Sequence, residues 1–321
     1  MPALTHHLNN FFTRPGQSLN PGSKIALAVS GGVDSMALLH LFHAWAKDKQ
    51  LSAIVITVDH GLRKESAAEA AFVAHEAIAL GYRHCTLPWL GDKPTSGIQS
   101  AARAARYRLI EEFMTREGCD TLLTAHTRDD QAETVWMRLK RGTGIDGLAG
   151  MRPARKLPNG ATHLRPLLDV AKLDVIQFMH NANKTWREDP SNQNQIFERV
   201  RVRDLQSEFD SLGITRENLA RTARRADQFV RYLDSAIENK IADAAGAITA
   251  HDLGFFTVTH AWFERLAPLE QVRLLSEMIA SVGGQAEPVP LGQLEDIVES
   301  LSGSNGTLKF STASESRQGF T

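Results

Sequence analysis

The chain has 321 residues, of which 42% are hydrophobic and 23% charged, so it can bury a substantial core and is long enough for two domains. Lysine and arginine total 36 against 37 aspartate and glutamate, and the net charge of -1 excludes a wholly basic nucleic-acid coat protein while permitting a local basic face. Two cysteines without C-x-x-C spacing argue against disulfide, zinc and iron–sulfur frameworks, and fit a reducing compartment.

Strand-like and helix-like segments alternate between residue 24 and about residue 185. The predicted strands are 24–29, 53–58, 84–89, 121–125 and 162–167, and the predicted helices are roughly 35–47, 66–80, 98–117, 128–140 and 171–183. This alternation predicts an α/β fold with a Rossmann-like parallel sheet covered by helices on both faces. Ligands of such sheets bind beyond the carboxyl ends of the strands, so the residues at those ends are the functional candidates.

The alternation stops after about residue 212. Thr215 can cap a long arginine-rich helix, helical stretches follow near 261–282 and 290–301, and TLKFST is a possible last strand. We therefore expect one domain over 1–212 and a second, smaller, mainly helical domain over 213–321. No secretory leader pattern and no run of about 18 apolar residues is present, so a cytoplasmic protein without a membrane span is expected.

The first predicted strand runs directly into SGGVDS, residues 30–35. Its two glycines let backbone amides converge on an anion at the N-terminus of the next helix, which makes a phosphate cradle. The turn holds no lysine, unlike the P-loop G-x-x-x-x-G-K-[ST], and Asp34 stands where a cation is expected. A carboxylate beside a polyphosphate is tolerable when a metal bridges the two, so Asp34 suggests Mg²⁺; the alternative is a plain strand-to-helix turn.

Polar residues also follow the second predicted strand and enter the third predicted helix. VDHGLR, residues 58–63, places Asp59 and His60 at the edge that faces a nucleotide base and ribose, unless it is only a surface turn. Arg103 and Arg106 are three residues apart and share a helix face, where they either clamp a phosphate or form a solvated stripe.

The fourth predicted strand is followed by the densest group of ionisable residues, in TAHTRDDQAET. On a helix, His126, Asp130 and Glu133 have the spacing i, i+4 and i+7 and share one face. This face suits either a metal or a cationic substrate, and we favour substrate binding. The alternative is that Asp129 and Asp130 only stabilise the helix N-terminus, by roughly 0.3–1 kcal/mol.

A second glycine pattern has a different interpretation. GTGIDG, residues 142–147, satisfies G-x-G-x-x-G but follows a predicted helix instead of a strand, so we interpret it as a loop and not as a dinucleotide site.

These motifs resemble a known family. SGGVDS is similar to the pyrophosphate-binding loop of the N-type ATP pyrophosphatases, the PP-loop superfamily, and the later motifs VDHGLR, GIQSAARAARYR, AHTRDDQAET, RGTGIDGLAGMRP, RPLLDV and WREDPSN resemble the tRNA(Ile)-lysidine synthase family. The resemblance covers about residues 20–205. It implies an adenine nucleotide alpha hydrolase-like catalytic domain, a tRNA-contacting second domain, and the substrates ATP, L-lysine and tRNA(Ile) with a CAU anticodon, with Mg²⁺ as cofactor.

The resemblance also implies a reaction and roles for individual residues. The first anticodon cytidine is adenylated with loss of diphosphate, and the lysine ε-amine then displaces AMP to form lysidine. Asp34 holds Mg²⁺, Arg106 and His126 stabilise charge on the α phosphate, and Asp130 and Glu133 bind lysine. The implied ATP-binding residues are Ser30, Gly31, Gly32, Val33, Asp34, Ser35, Asp59 and His60. The implied tRNA-binding residues are Arg141, Arg199, Arg201 and Arg203.

Two other functions fit parts of this pattern. A tRNA thiolation enzyme of the same superfamily shares the loop, but sulfur transfer usually recruits cysteine pairs or an iron–sulfur cluster, and the chain has two lone cysteines. A noncatalytic RNA-binding protein is expected to have lost Asp34, His126 or the carboxylates after the fourth strand, and all are present. One departure from the family pattern is Thr127, where relatives often carry a second histidine.

Overall fold

A computed structural model describes residues 2–62, 65–91, 93–94, 96–188, 198–251, 255–283, 289–301 and 307–311. The chain divides into two compact units, one formed by 1–143 and 147–224 and the other by 144–146 and 225–321. Among the described residues, no helix is both long enough and apolar enough to span a bilayer.

The first unit alternates strands with helices, as the sequence predicts. Its strands are β1 (Lys24–Ala28), β2 (Ser52–Asp59), β3 (Arg83–Pro88), β4 (Thr121–Leu123), β5 (Ala154–Lys156) and β6 (Thr162–Leu164). The helices up to residue 211 are α1 (Pro2–Phe12), α2 (Val33–Ala46), α3 (Ser66–Ala79), α4 (Ile98–Glu117), α5 (Arg128–Leu139), α6 (Ile145–Leu148), α7 (Lys172–Asn181), α8 (Glu198–Asp204) and α9 (Gln206–Ser211).

The six strands form one sheet in the order β3-β2-β1-β4-β6-β5. All neighbouring pairs are parallel except β5 and β6, so β5 is an antiparallel edge strand that the sequence analysis missed. The predicted Rossmann-like α/β fold is confirmed. The strand order reverses direction between β1 and β4, and in sheets of this kind the crevice at such a reversal is the usual ligand site.

Helix α2 lies in the main core. Its residues from Ser35 to Phe42 are all buried, as expected for a helix that is apolar on every side. Helix α1, which the sequence analysis did not predict, contributes Phe12, whose ring centroid lies 4.3 Å from that of Trp45. The Trp45 Nε1 donates to Asn9 Oδ1 at 2.7 Å. Helix α1 is therefore part of the first unit's core.

The segment after α5 is fastened to that helix by two of its side chains. Gln131 accepts a hydrogen bond from the Met151 N–H at 2.7 Å and donates to the Met151 carbonyl at 3.0 Å. Arg138 Nη1 donates to the carbonyls of Gly147 and Gly150 at 3.0 and 2.9 Å. Gly150 has φ of 64°, and a Cβ there would lie 2.7 Å from Gln131 Oε1, so this position requires glycine.

The second unit contains α10 (Arg216–Ala242, of which residues from 225 belong to it), β7 (Ile248–His251), β8 (Phe255–Thr259), α11 (His260–Phe263), α12 (Pro268–Gly283), α13 (Leu291–Leu301) and β9 (Thr307–Ser311). The strands form an antiparallel sheet in the order β7-β8-β9, and β7 and β8 were not predicted. Its own apolar core includes Val258, Phe263 and Leu274.

The division between the units lies later than the sequence analysis placed it. The expected boundary is between residues 212 and 213, whereas the first unit of the structure extends through the first turns of α10 to residue 224. Two ion pairs join these turns to the first unit, since Arg216 pairs with Asp129 at 3.2 Å and Arg224 pairs with Asp169 at 3.0 Å. Both carboxylates belong to the first unit.

Candidate active site

The glycine turn after β1 has the geometry of an anion cradle. Gly31 has φ of 92°, a left-handed conformation that favours glycine, and its carbonyl accepts the Arg187 N–H at 2.9 Å. The Ser35 hydroxyl accepts the Ser30 N–H at 3.1 Å and donates to the Gly32 carbonyl at 2.9 Å, which closes the turn. Because the first amides of a helix lack intrahelical acceptors, the N-terminus of α2 presents N–H donors here.

Asp34 on the first turn of α2 meets a cation that the sequence analysis missed. Lys172, at the start of α7, places its Nζ 2.8 Å from Asp34 Oδ2, and its backbone N–H donates to Asp129 Oδ2 at 2.8 Å. The turn itself holds no lysine, but the fold supplies one from 138 positions further along the chain. Lys172 therefore joins the β1 end to the β4 end.

The other oxygen of the Asp34 carboxylate fits a metal. Oδ1 is buried and, among the described residues, has no hydrogen-bond partner. Burial raises the pKa of Asp34 above its ordinary value, Lys172 acts to lower it, and the nearby Asp130 and Asp129 act to raise it. Within the described part of the chain no three His, Cys, Asp or Glu side chains are placed to hold a metal. Oδ1 could thus serve as one oxygen ligand of a hard divalent cation.

At the β2 end, His60 holds an arginine of α4. Arg106 Nη2 lies 3.2 Å from His60 Nε2, and the Trp89 ring packs edge-on against the imidazole with centroids 6.0 Å apart. Burial and the Arg106 charge lower the pKa of His60 to about 4, so His60 is neutral at physiological pH. Since guanidinium only donates, Nε2 is the acceptor and the proton lies on Nδ1, which is buried without a partner among the described residues.

The neighbours of His60 are placed differently. Asp59 Oδ1 accepts the Gly61 N–H at 2.8 Å, so its carboxylate shapes the turn. Arg103 does not join Arg106 but lies over the Tyr107 ring, with its Cζ 5.2 Å from the centroid. Arg63 of the VDHGLR motif lies outside the described residues.

At the β4 end, the helix begins later than the predicted shared face requires. Thr127 is the N-cap of α5, with a capping box in which the Thr127 N–H and hydroxyl donate to Asp130 Oδ2 at 2.8 and 2.9 Å. His126 therefore precedes the helix, and the prediction that His126 shares a helix face with Asp130 and Glu133 is wrong. His126 nevertheless lies near Asp130. Burial acts to raise the pKa of Asp130, but His126, Thr127 and Lys172 together hold it below its ordinary value.

Glu133 is buried and already holds a cation of the protein. Arg203 of α8 donates to it through Nε at 2.5 Å and Nη2 at 3.2 Å. The same guanidinium also senses the charges of Asp130 and Asp34, which favour its protonated form although burial opposes it. Asp34, Asp130 and Glu133 thus form one acidic cluster that Lys172 and Arg203 partly neutralise.

The other arginines of the predicted tRNA-binding set lie on or beside α8. Arg141 donates to Glu198 Oε2 at 3.0 Å, and Lys140 donates to Oε1 of the same carboxylate at 3.1 Å. Arg201 lies on α8 with its side chain exposed. Arg199 belongs to the same helix, but its side chain lies outside the described residues, as do residues 189–192 of the WREDPSN motif.

Two further residues behind His126 were missed. Thr124 Oγ1 lies 2.9 Å from His126 Nδ1 and 2.8 Å from His163 Nε2. His163 on β6 is fully buried, and its neighbour Arg165 is also buried. The sequence could have flagged a histidine inside an apolar strand, but not its position beside β4.

Residues 2–208 match the family model described as the PP-loop domain. The tRNA(Ile)-lysidine synthase of Rhodopseudomonas palustris is 43% identical over 87% of this chain and 80% of its own length. That of Methylobacterium nodulans is 40% identical over 90% of this chain and 84% of its own. The solved U34-tRNA thiolase NcsA from Methanococcus maripaludis superposes with a TM-score of 0.61 at 18% identity, over 72% of this chain and 79% of that one, which is a likeness of fold alone.

Proposed function

The chain belongs to the PP-loop family and, within it, to the tRNA(Ile)-lysidine synthase family, and from this premise we propose the reaction that it catalyses. It joins L-lysine to C2 of the first anticodon cytidine of tRNA(Ile) with a CAU anticodon. The tRNA is first adenylated by ATP with loss of diphosphate, and the lysine ε-amine then displaces AMP to form lysidine.

One observation carries this proposal. The glycine turn after β1 and His126 after β4 lie at the ends of neighbouring parallel strands, at the point where the strand order reverses. The turn offers N–H donors for a polyphosphate, while the β4 end offers a histidine and buried carboxylates. A nucleotide held by its outer phosphates at the turn would have its α phosphate directed toward the second group.

In the adenylation step, the turn binds the departing diphosphate and Arg106 and His126 stabilise charge on the α phosphate. His60 supports this role, because its neutral imidazole holds the Arg106 guanidinium in place. Asp34 Oδ1 would hold Mg²⁺, which supplies neutralisation of phosphate charge. Preorganised charges of this kind are often the largest contribution to catalysis.

In the second step, the acidic cluster receives lysine. The pairing of Glu133 with Arg203 supports this role, because it shows that the position accepts a side-chain cation. The ε-amine has an ordinary pKa of about 10.4 and must lose its proton before attack, which a nearby carboxylate favours. Arg141, Arg199, Arg201 and Arg203 would bind the tRNA backbone, so affinity should fall with rising salt.

The decisive experiment supplies the full chain with ATP, Mg²⁺, lysine and a tRNA(Ile) transcript, followed by mass analysis of the nucleosides. The expected result is a cytidine that has gained lysine, with AMP and diphosphate released. A tRNA(Met) transcript with the same CAU anticodon is the control and should stay unmodified. Release of ADP and orthophosphate, or an unmodified tRNA(Ile), would refute the proposal.

The same assay distinguishes tRNA thiolation. Replacing lysine by a sulfur donor should give no product, because Cys85 and Cys119 are separate free cysteines and no cluster of metal-binding side chains is present among the described residues. Formation of a thiolated nucleoside in that reaction would favour the alternative.

A further inference from the structure

A chain of hydrogen bonds runs from two arginines to His126 behind the candidate active site. Arg165 Nη2 and Arg155 Nε lie 3.3 and 3.4 Å from Nδ1 of His163. The opposite ring nitrogen of His163, Nε2, lies 2.8 Å from Thr124 Oγ1, and that oxygen lies 2.9 Å from His126 Nδ1. These hydrogen bonds lead from β5 and β6 to the end of β4.

The chemistry of the groups fixes the direction of the hydrogen bonds from the two arginines as far as Thr124. Guanidinium nitrogens only donate, so His163 Nδ1 is an acceptor and the proton of the neutral ring lies on Nε2. The Nε2–H therefore donates to the Thr124 hydroxyl. That hydroxyl keeps one proton to donate, and Nδ1 of a neutral His126, 2.9 Å away, is an acceptor within its reach.

Burial keeps this direction from reversing. Burial lowers the pKa of His163 far below its ordinary value, and the charges of Arg165 and Arg155 lower it further, so His163 stays neutral. Burial also lowers the pKa of Arg165 to about 10, which leaves it charged near neutral pH. Arg165 therefore remains a hydrogen-bond donor to His163 at neutral pH.

We propose that Thr124 and His163 are positioning residues that hold neutral His126 as the tautomer with its proton on Nε2. His126 then presents an N–H donor on the side of the ring away from Thr124. This part of the inference rests on the proposed function: the donor is directed to an oxygen of the α phosphate, where negative charge grows during adenylation. The opposite tautomer would present a lone pair to that oxygen and repel it.

The first test reads the tautomer directly. The full chain is labelled with ¹⁵N-histidine, and the ring nitrogen shifts of His126 are identified by comparison with His126→Gln. The expected spectrum shows a protonated Nε2 and an unprotonated Nδ1 for neutral His126. A protonated Nδ1 in the wild-type protein would overturn the proposal.

The second test removes the Thr124 hydroxyl with little change in the shape of the side chain. Thr124→Val should let His126 take both tautomers and lower the kcat of diphosphate release by about 10- to 100-fold, as for supporting residues that orient a catalytic group, with little change in the KM for ATP. Thr124→Ser keeps the hydroxyl and should restore both the spectrum and the rate. A folded Thr124→Val protein with the wild-type spectrum and rate would refute the role of Thr124.

The two measurements separate this inference from the proposed function. If Thr124→Val does not fold, the wild-type spectrum still decides the tautomer. If the wild-type protein makes no lysidine but shows the Nε2–H tautomer, the proposed function fails while the positioning of His126 by Thr124 and His163 stands.

Discussion

The ends of β1 and β4 are neighbours in the sheet, yet they hold their functional side chains by different means. At the β1 end, Asp34 is held by the ion pair with Lys172, whose side chain is 39% exposed. At the β4 end, His126 is held by a hydrogen bond to Thr124, and the Thr124 hydroxyl in turn bonds the buried His163. A partly solvated ion pair can exchange partners with a metal or phosphate, whereas buried hydrogen bonds with fixed donors and acceptors cannot. The ion pair of Asp34 is therefore suited to binding, and the hydrogen bonds behind His126 are suited to orientation.

The strongest way to break the β1 end is Asp34→Asn. The substitution keeps the shape but removes the charge from the proposed metal ligand, so diphosphate release should fall by about 10²- to 10³-fold while tRNA binding is unchanged. Asp48→Asn, at an exposed position, is the matched control and should be neutral. Normal diphosphate release by Asp34→Asn would contradict the metal role.

A smaller effect is expected from Glu133→Gln, paired with Arg203→Met. If Glu133 binds the substrate, Glu133→Gln should raise the KM for lysine by about tenfold, the loss of a charge-assisted hydrogen bond, and leave that for ATP nearly unchanged. Arg203→Met should not raise the KM for lysine, because it removes a competing cation. Equal effects of both variants on lysine would mean that Glu133 only supports Arg203.

Lys172→Met should change ATP binding and the Mg²⁺ requirement a few-fold, and it tests whether the ion pair at the β1 end yields to a metal. Loss of this cation should weaken ATP binding, because a positive charge near the phosphates is lost, and should lower the half-saturating Mg²⁺ concentration, because Lys172 no longer competes for Asp34. Both effects should be few-fold, since an exposed charge pair contributes about 0.2–1 kcal/mol. Lys172→Arg keeps the charge and should behave like the wild-type protein in a titration of diphosphate release. An unchanged Mg²⁺ requirement in Lys172→Met would show that the lysine and the metal do not share Asp34.

The smallest expected effect concerns stability and pH. The folded protein keeps His163 neutral, whereas the unfolded chain protonates it below its ordinary pKa of about 6.5, so stability should fall as the pH drops from 7 to 5. His163→Gln should reduce this dependence by at most about 1.4 kcal/mol per pH unit, measured by urea unfolding. His75→Gln, at an exposed position, should leave it unchanged. A dependence unaltered in His163→Gln would contradict the neutral buried imidazole.

The sequence predicted the parts of the fold that carry strong local signals. Helix α4 was predicted with both ends correct, since the glycines at 97 and 118 flank it in left-handed conformations. Helix α1 was missed because its few apolar residues are interrupted by histidines and asparagines. Edge strand β5 was missed because its sequence, ARK, is polar. Short or polar elements gain their structure from tertiary neighbours, which a local pattern does not show.

The candidate site follows the same rule. The placement of Asp34, His60 and His126 could be predicted, because the carboxyl ends of parallel strands meet at one edge of the sheet. Their partners could not be predicted, because Lys172 is distant in sequence from Asp34 and His163 reaches His126 only through the pairing of β4 with β6. The role of Thr127 as N-cap also explains why a spacing count placed His126 wrongly on a helix face.

The contact between Gly150 and Gln131 changes how the RGTGIDGLAGMRP motif should be understood. The glycines of this segment suggest a loop around a ligand. At position 150, however, the glycine makes room for the side-chain amide of Gln131, which a Cβ would meet at 2.7 Å. A signature that distinguishes a family can thus record the assembly of the scaffold and not the identity of the substrate. Mutational intolerance at Gly150 would therefore be no guide to the chemistry.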